Sequence, residues 1–214
     1  MRLRKIKNAD EILQNSSIVI KNAEMNFGKW HSYFQNQNPI YLEIGMGKGK
    51  FIIEHARRNP HINFMGFEKE PTVICKALRK IDDSINNLKI ICDDAENLDK
   101  IFSEGEIERI FLNFSDPWPK NRHEKRRLTY DTKLDIYKKI LNNNNKIELK
   151  TDNRHFFEYS LMQFNKNKFT FSNLSLNLHE DYDDIITTEY EDKFKEMGKQ
   201  IYYVEVSYGK NETL

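Results

Sequence analysis

Apolar residues follow two alternating patterns along the chain. Short runs that suit buried strands lie at residues 40–44, 63–67, 88–92, 108–114 and 146–150. Between them the spacing becomes helical. Phe51, Ile52 and Ala56 share a face before Pro60 stops the segment. Pro71 suits a first helical position, and Val73, Ile74, Ala77, Leu78 and Ile81 continue from it. Asp131 is placed to cap a helix faced by Leu134, Tyr137 and Leu141, with Ile136 and Ile140 beside them. Asp152 or Asn153 can cap another, carrying Phe156, Phe157, Ser160, Leu161 and Phe164. Repeated strand–helix units predict an α/β protein with a doubly wound, mostly parallel sheet and helices on both faces.

The last third changes character. Phe169 and Phe171, then Leu174, Leu176 and Leu178, alternate with one phase slip, which predicts a bulged strand. Tyr202, Val204, Val206 and Tyr208 alternate cleanly. A short helix over 191–197, with Gly198 past its end, is expected between two antiparallel closing strands.

Composition sharpens this picture. The 214 residues are expected to form a single domain, with an amino-terminal extension over 1–30. Its basic start, Arg2, Arg4, Lys5 and Lys7, is either an RNA contact or a mobile terminus. Thirty-four Lys and Arg oppose 33 Asp and Glu, so the net charge of +1 excludes a globally basic binder but not a local patch. Two cysteines, Cys75 and Cys92, cannot build a disulfide framework and fit a reducing cytoplasmic setting. No apolar run suggests a membrane span, and the charged start lacks a signal-peptide core. The six histidines are scattered without ligand spacing, so no metal is expected.

Candidate chemistry gathers at the ends of predicted strands. Glu43-Ile-Gly45-Met-Gly47-Lys-Gly49 leaves a strand and opens a helix, the context of a nucleotide-binding turn. The second strand ends in Glu68, placed for the ribose hydroxyls of an adenosine, and the third in Asp93-Asp94, within reach of an adenine edge. The acid ahead of the glycines favours S-adenosylmethionine over a dinucleotide, and the turn resembles motif I of class I methyltransferases. The fourth strand ends in Ser115-Asp116-Pro-Trp118-Pro119, where reacting groups collect. Residues 120–127 follow with five cations, Lys120, Arg122, Lys125, Arg126 and Arg127, against Glu124 alone. Such a run suits phosphate contact.

Taken together, Glu43-Ile-Gly-Met-Gly-Lys-Gly49, Gly66-Phe-Glu68, Asn113-Phe-Ser-Asp-Pro-Trp-Pro119 with its basic tail, Lys150-Thr-Asp-Asn153 and Thr188-Glu-Tyr-Glu191 resemble the bacterial tRNA (guanine-N7)-methyltransferases. The likeness extends to Gly28-Lys29-Trp30, and the long Asp-Pro-Trp block is its most specific part. It implies a Rossmann-like methyltransferase sheet of about seven strands with an antiparallel C-terminal strand. It implies methyl transfer from S-adenosylmethionine to N7 of a variable-loop guanine in tRNA. A monomer or homodimer with no obligate protein partner is expected. Asp116 would be the catalytic carboxylate. Glu43, Gly45, Gly47, Glu68, Asp94 and Asp116 would bind the cofactor. Lys120, Asp152, Thr188, Glu189, Tyr190 and Glu191 would touch substrate, making 179–200 a substrate-contact segment. Arg122, His123, Lys125, Arg126 and Arg127, in a loop over 115–130, would hold RNA. Asp152 remains either a guanine acceptor or a helix cap. Ser115-Asp-Pro-Trp118 also resembles the Pro-Pro-aromatic motif of exocyclic-amine methyltransferases, but Trp118 displaces the second proline.

Overall fold

A computed structural model describes residues 5–209; Arg2 and Arg4 lie outside them. In chain order the elements are α1 (Ala9–Asn15), β1 (Val19–Ile20), α2 (Trp30–Phe34), β2 (Ile40–Ile44), α3 (Lys50–Arg58), β3 (Asn63–Glu68), α4 (Pro71–Leu78), β4 (Leu88–Cys92) and α5 (Leu98–Ile101). There follow β5 (Ile107–Asn113), α6 (Asp131–Ile140), β6 (Leu141–Thr151), α7 (Arg154–Lys166), β7 (Thr170–Ser175), α8 (Leu178–Asp181), α9 (Glu189–Glu196) and β8 (Tyr202–Ser207). Among the described residues the strands form one sheet in the order β1-β4-β3-β2-β5-β6-β8-β7. All pairs are parallel except those of β8 with β6 and β7. The chain winds outward from β2 through β3 and β4, then returns to lay β5 on the other side of β2. The crevice at that reversal, beyond the carboxyl ends of β2 and β5, is where ligands bind in open α/β sheets.

Strand alternation explains the two-sided core. On β5, Ile110 and Leu112 join Leu134, Tyr137 and Phe157 on one face of the sheet. Phe111, one residue out of phase, joins Phe51, Ile52 and Ile74 on the other. The amino-terminal segment is packed as well. Ala9 and Leu13 of α1 are buried, the Ile6 N–H donates to Thr72 Oγ1 at 3.2 Å, and the buried Trp30 indole donates to the Ile101 carbonyl at 3.0 Å.

Several expectations are corrected. An eighth strand exists, because the two-residue β1 pairs with the edge of β4. Asp131 does not cap α6: Tyr130 holds that position, and the Asp131 carboxylate accepts from Lys166 Nζ (2.6 Å) and Asn167 Nδ2 (2.8 Å) of the neighbouring segment. Asn153, not Asp152, caps α7, accepting the Phe156 N–H at 2.9 Å. The bulge lies in β7 between Phe171 and Asn173, but the strand ends at Ser175 and Leu178 opens α8. Phe171 and Leu174 sit on an outer strand, so their alternation carries no core burial. The asparagine-rich run belongs to β6, where Asn145 clamps the last strand by donating to the Tyr208 carbonyl (2.7 Å) and accepting its N–H (2.6 Å).

Candidate active site

The glycine turn leaves β2 with its backbone in the left-handed region at Gly45 (φ 77°) and Gly47 (φ 56°), which side chains disfavour. A Cβ at either position would meet no atom within 4 Å, so these glycines face open space. Gly47 N–H donates to Glu68 Oε2 at 3.1 Å. Glu68 Oε1 accepts from the N–H groups of Lys69 (2.9 Å) and Glu70 (3.1 Å). Three backbone donors therefore fix this carboxylate at the end of β3. Asp94, beyond β4, accepts the Glu96 N–H at 3.1 Å and caps the 3-10 turn Ala95–Asn97, while its second oxygen lies 4.0 Å from Lys69 Nζ.

Glu68, Asp94, Asp116 and Asp152 line one cleft of about 710 Å³, together with Gly45, Gly47, Asn113 and Ser115. That volume lies in the usual range for small-molecule sites. Glu43 sits beneath it, only 1% exposed, with Oε1 accepting from Asn113 Nδ2 at 2.9 Å. Burial pushes its pKa up to about 8, against the opposing bond from Asn113. Glu43 Oε2, Asn113 Oδ1 and Ser115 Oγ are buried without a hydrogen-bond partner. Unpaired buried oxygens are costly, and Asn113 and Ser115, which line the cleft, suit a ligand rich in donors. S-adenosylmethionine, with its ammonium and sulfonium, fits that demand, and Glu68 fits its ribose.

The loop after β5 is strained at both ends: Phe114 (φ 51°) and Trp118 (φ 39°) are left-handed without being glycine. Arg127 holds it. Its Nε donates to the carbonyls of Pro117 (3.1 Å) and Trp118 (3.3 Å), its Nη2 donates to that of Trp118 (3.0 Å), and its guanidinium lies 4.1 Å over the Tyr159 ring. Arg127 is thus engaged inside the loop through Nε and Nη2. Arg126 stacks 4.8 Å over Trp118, and both line the cleft. His123 meets Trp118 edge-on at 5.6 Å. Lys120, Arg122 and Lys125 are exposed on the 3-10 segment Asn121–Arg126 and its approach.

The remaining expected contacts divide. Asp152 is free of capping duty and accepts from Lys199 Nζ at 3.2 Å. Residues 188–191 are the start of α9. Thr188 and Glu191 close a capping box, each accepting the other's backbone N–H, and Glu189 pairs with Lys80. Tyr190 alone of the four lines the cleft, 64% exposed, with Phe194 beside it. Sequence reading missed Asn113, Ser115 and Phe194 as lining residues, and Lys150 and His179 as partners of Glu191. Lys150 stood inside a quoted motif, and that was the available signal. Among the described residues no cluster of three or more His, Cys, Asp or Glu side chains could hold a metal, and no helix is long and apolar enough to cross a membrane.

Known proteins show the family and the fold. The family model described as "Putative methyltransferase" matches residues 37–204. The chain is 49% identical over 211 residues to a tRNA (guanine-N(7)-)-methyltransferase of Geobacillus sp. (strain WCH70), covering 97% of this chain and 96% of that protein. It is 48% identical over 204 residues to one of Alkaliphilus oremlandii, covering 94% and 97%. Among solved structures, the 16S rRNA methyltransferase KamB superposes with a TM-score of 0.64 at 10% identity, over 85% of this chain and 93% of that one, a likeness of fold. The sheet order, the glycine turn facing Glu68 and the near-full-length identity lead to one conclusion: this chain belongs to the tRNA (guanine-N(7)-)-methyltransferase family.

Proposed function

We propose that this protein methylates N7 of a guanine in the variable loop of tRNA, with S-adenosylmethionine as donor, in the cytoplasm. The observation that carries the reading is one cleft lined by both Glu68 and Asp116, with Arg126 of the basic loop at its rim. When bound, the donor supplies an electrophilic methyl group on a sulfonium.

The chain's own residues have modest demands to meet. Guanine N7 presents an in-plane lone pair and loses no proton on attack, so no strong general base is needed. Alignment is needed, and it can lower the barrier by several kcal/mol. Glu68, fixed by three N–H groups, accepts from the ribose hydroxyls. Asp94 would meet the adenine edge. Asp116 stabilises positive charge as it develops on the guanine ring. Asp152 accepts from guanine N1–H and N2–H₂, the donors that distinguish guanine from adenine. Lys120, Arg122, His123, Lys125 and Arg126 meet backbone phosphate.

Bulk tRNA lacking this modification, incubated with the protein and labelled S-adenosylmethionine, should yield 7-methylguanosine on nucleoside mass analysis. No incorporation, or label in N6-methyladenine, overturns the reading.

A further inference from the structure

The first turn of α9 carries three acids, and each meets a lysine from a different part of the fold. Glu189 pairs with Lys80, which also donates to the Lys48 carbonyl in the glycine turn at 3.0 Å. Asp192 pairs with Lys50, the first residue of α3. Both pairs are part-exposed, and such pairs contribute little. The third pair is different. Glu191 is 0% exposed, and Lys150 of β6 is buried with it. Lys150 Nζ lies 3.5 and 3.4 Å from Glu191 Oε1 and Oε2, and donates to the Ile186 carbonyl at 3.0 Å. His179 Nε2, on α8, lies 3.1 Å from Glu191 Oε1. Glu191 Oε2 also accepts the Thr188 N–H at 3.3 Å. A fully buried carboxylate with both oxygens engaged is not offered to a ligand.

We infer that Glu191 and Lys150 form a buried latch that seats α9 in the cleft wall. Both are positioning residues for tRNA binding, and neither touches the RNA. This rests on the cleft being the tRNA methylation site. What α9 presents to that cleft is Tyr190 and Phe194, four residues apart and so on one helix face. Phe194 packs against Tyr190 (6.0 Å) and Phe114 (6.1 Å between ring centres). Phe114 opens the Asp116 loop, and its N–H donates to the Lys150 carbonyl at 2.8 Å. One residue therefore joins two parts of the site: its backbone holds the loop that carries Asp116, and its side chain holds the helix that carries Tyr190.

Lys150→Met leaves Glu191 buried without its counter-charge, the costly way to break such a pair. It should raise KM for tRNA by roughly tenfold or more, with a smaller fall in kcat, and quicken amide hydrogen exchange over residues 188–197. The double variant Lys150→Met/Glu191→Gln removes both charges and should recover part of the KM and of the protection. Equal damage in single and double variants with α9 protection intact overturns the latch. So does loss of tRNA binding in Glu191→Gln with unchanged exchange, which would make Glu191 a substrate ligand. If the wild-type protein methylates no tRNA, the functional reading fails by itself, and the exchange measurements still decide the latch.

Discussion

At the scale of single residues, environment separates carboxylates that the sequence presents alike. Glu68 is held by three backbone donors, Asp116 is exposed on the cleft, and Glu43 is buried with an unpaired oxygen. Asp116→Ala should lower kcat about 10²-fold, the scale of losing one preorganised electrostatic partner, with only a small loss of S-adenosylmethionine affinity by calorimetry. A near-normal kcat would remove Asp116 from the chemistry. Glu43 makes a pH prediction. Its pKa in the folded protein is about 8, above the ordinary 4.5, so its contribution to stability is complete below the ordinary value and is lost as pH rises through about 8. His55 has the opposite sign: burial pushes it down to about 3, so its contribution is complete above pH 6.5 and is lost as pH falls. Above pH 6.5 the Glu43 slope therefore stands clear of His55. Glu43→Gln should flatten the decline of Tm between about pH 6.5 and 9; parallel curves would show that Glu43 is not the source.

At the scale of elements, the loop after β5 shows how adjacent like charges acquire unlike roles. Arg126 lies over Trp118 at the cleft rim, whereas Arg127 donates to two carbonyls and stacks on Tyr159. Arg126→Ala should weaken tRNA binding and reduce the slope of log affinity against log salt by about one contact's worth. Arg127→Ala should lower Tm and loosen the loop, with a smaller change in that slope. A filter-binding salt titration of the two variants distinguishes them, and identical slopes would defeat the assignment. The helices teach the same lesson. Their apolar faces were legible from spacing, and α3, α4, α6 and α7 form where that spacing lies. Their caps were less so, because Asp131, Asp152 and Asn153 are all competent cap residues by type, and only the neighbours decide which one turns to its own backbone.

At the scale of the whole molecule, the net charge of +1 is a cancellation of unlike regions. Exposed cations crowd the loop beside the cleft, while Glu189, Glu191 and Asp192 are engaged by lysines within the fold. RNA affinity carried by one loop is sensitive to few residues. Neutralising Arg122, Lys125 and Arg126 together should remove most tRNA binding at physiological salt, where each phosphate contact adds to the salt dependence. Retention of tight, salt-sensitive binding would place the RNA on another face. The sequence by itself determined the parallel α/β sheet, its antiparallel closure and the residues near the carboxyl ends of the strands. Those follow from local periodicity and from glycine and proline chemistry, which each short stretch carries within itself. Only the tertiary structure decided that Glu43 lies beneath the cleft, that Arg127 binds its own loop and that Glu191 faces Lys150. A charged side chain's role depends on which partners distant segments bring within a few ångströms, and that information is absent from any local stretch of sequence.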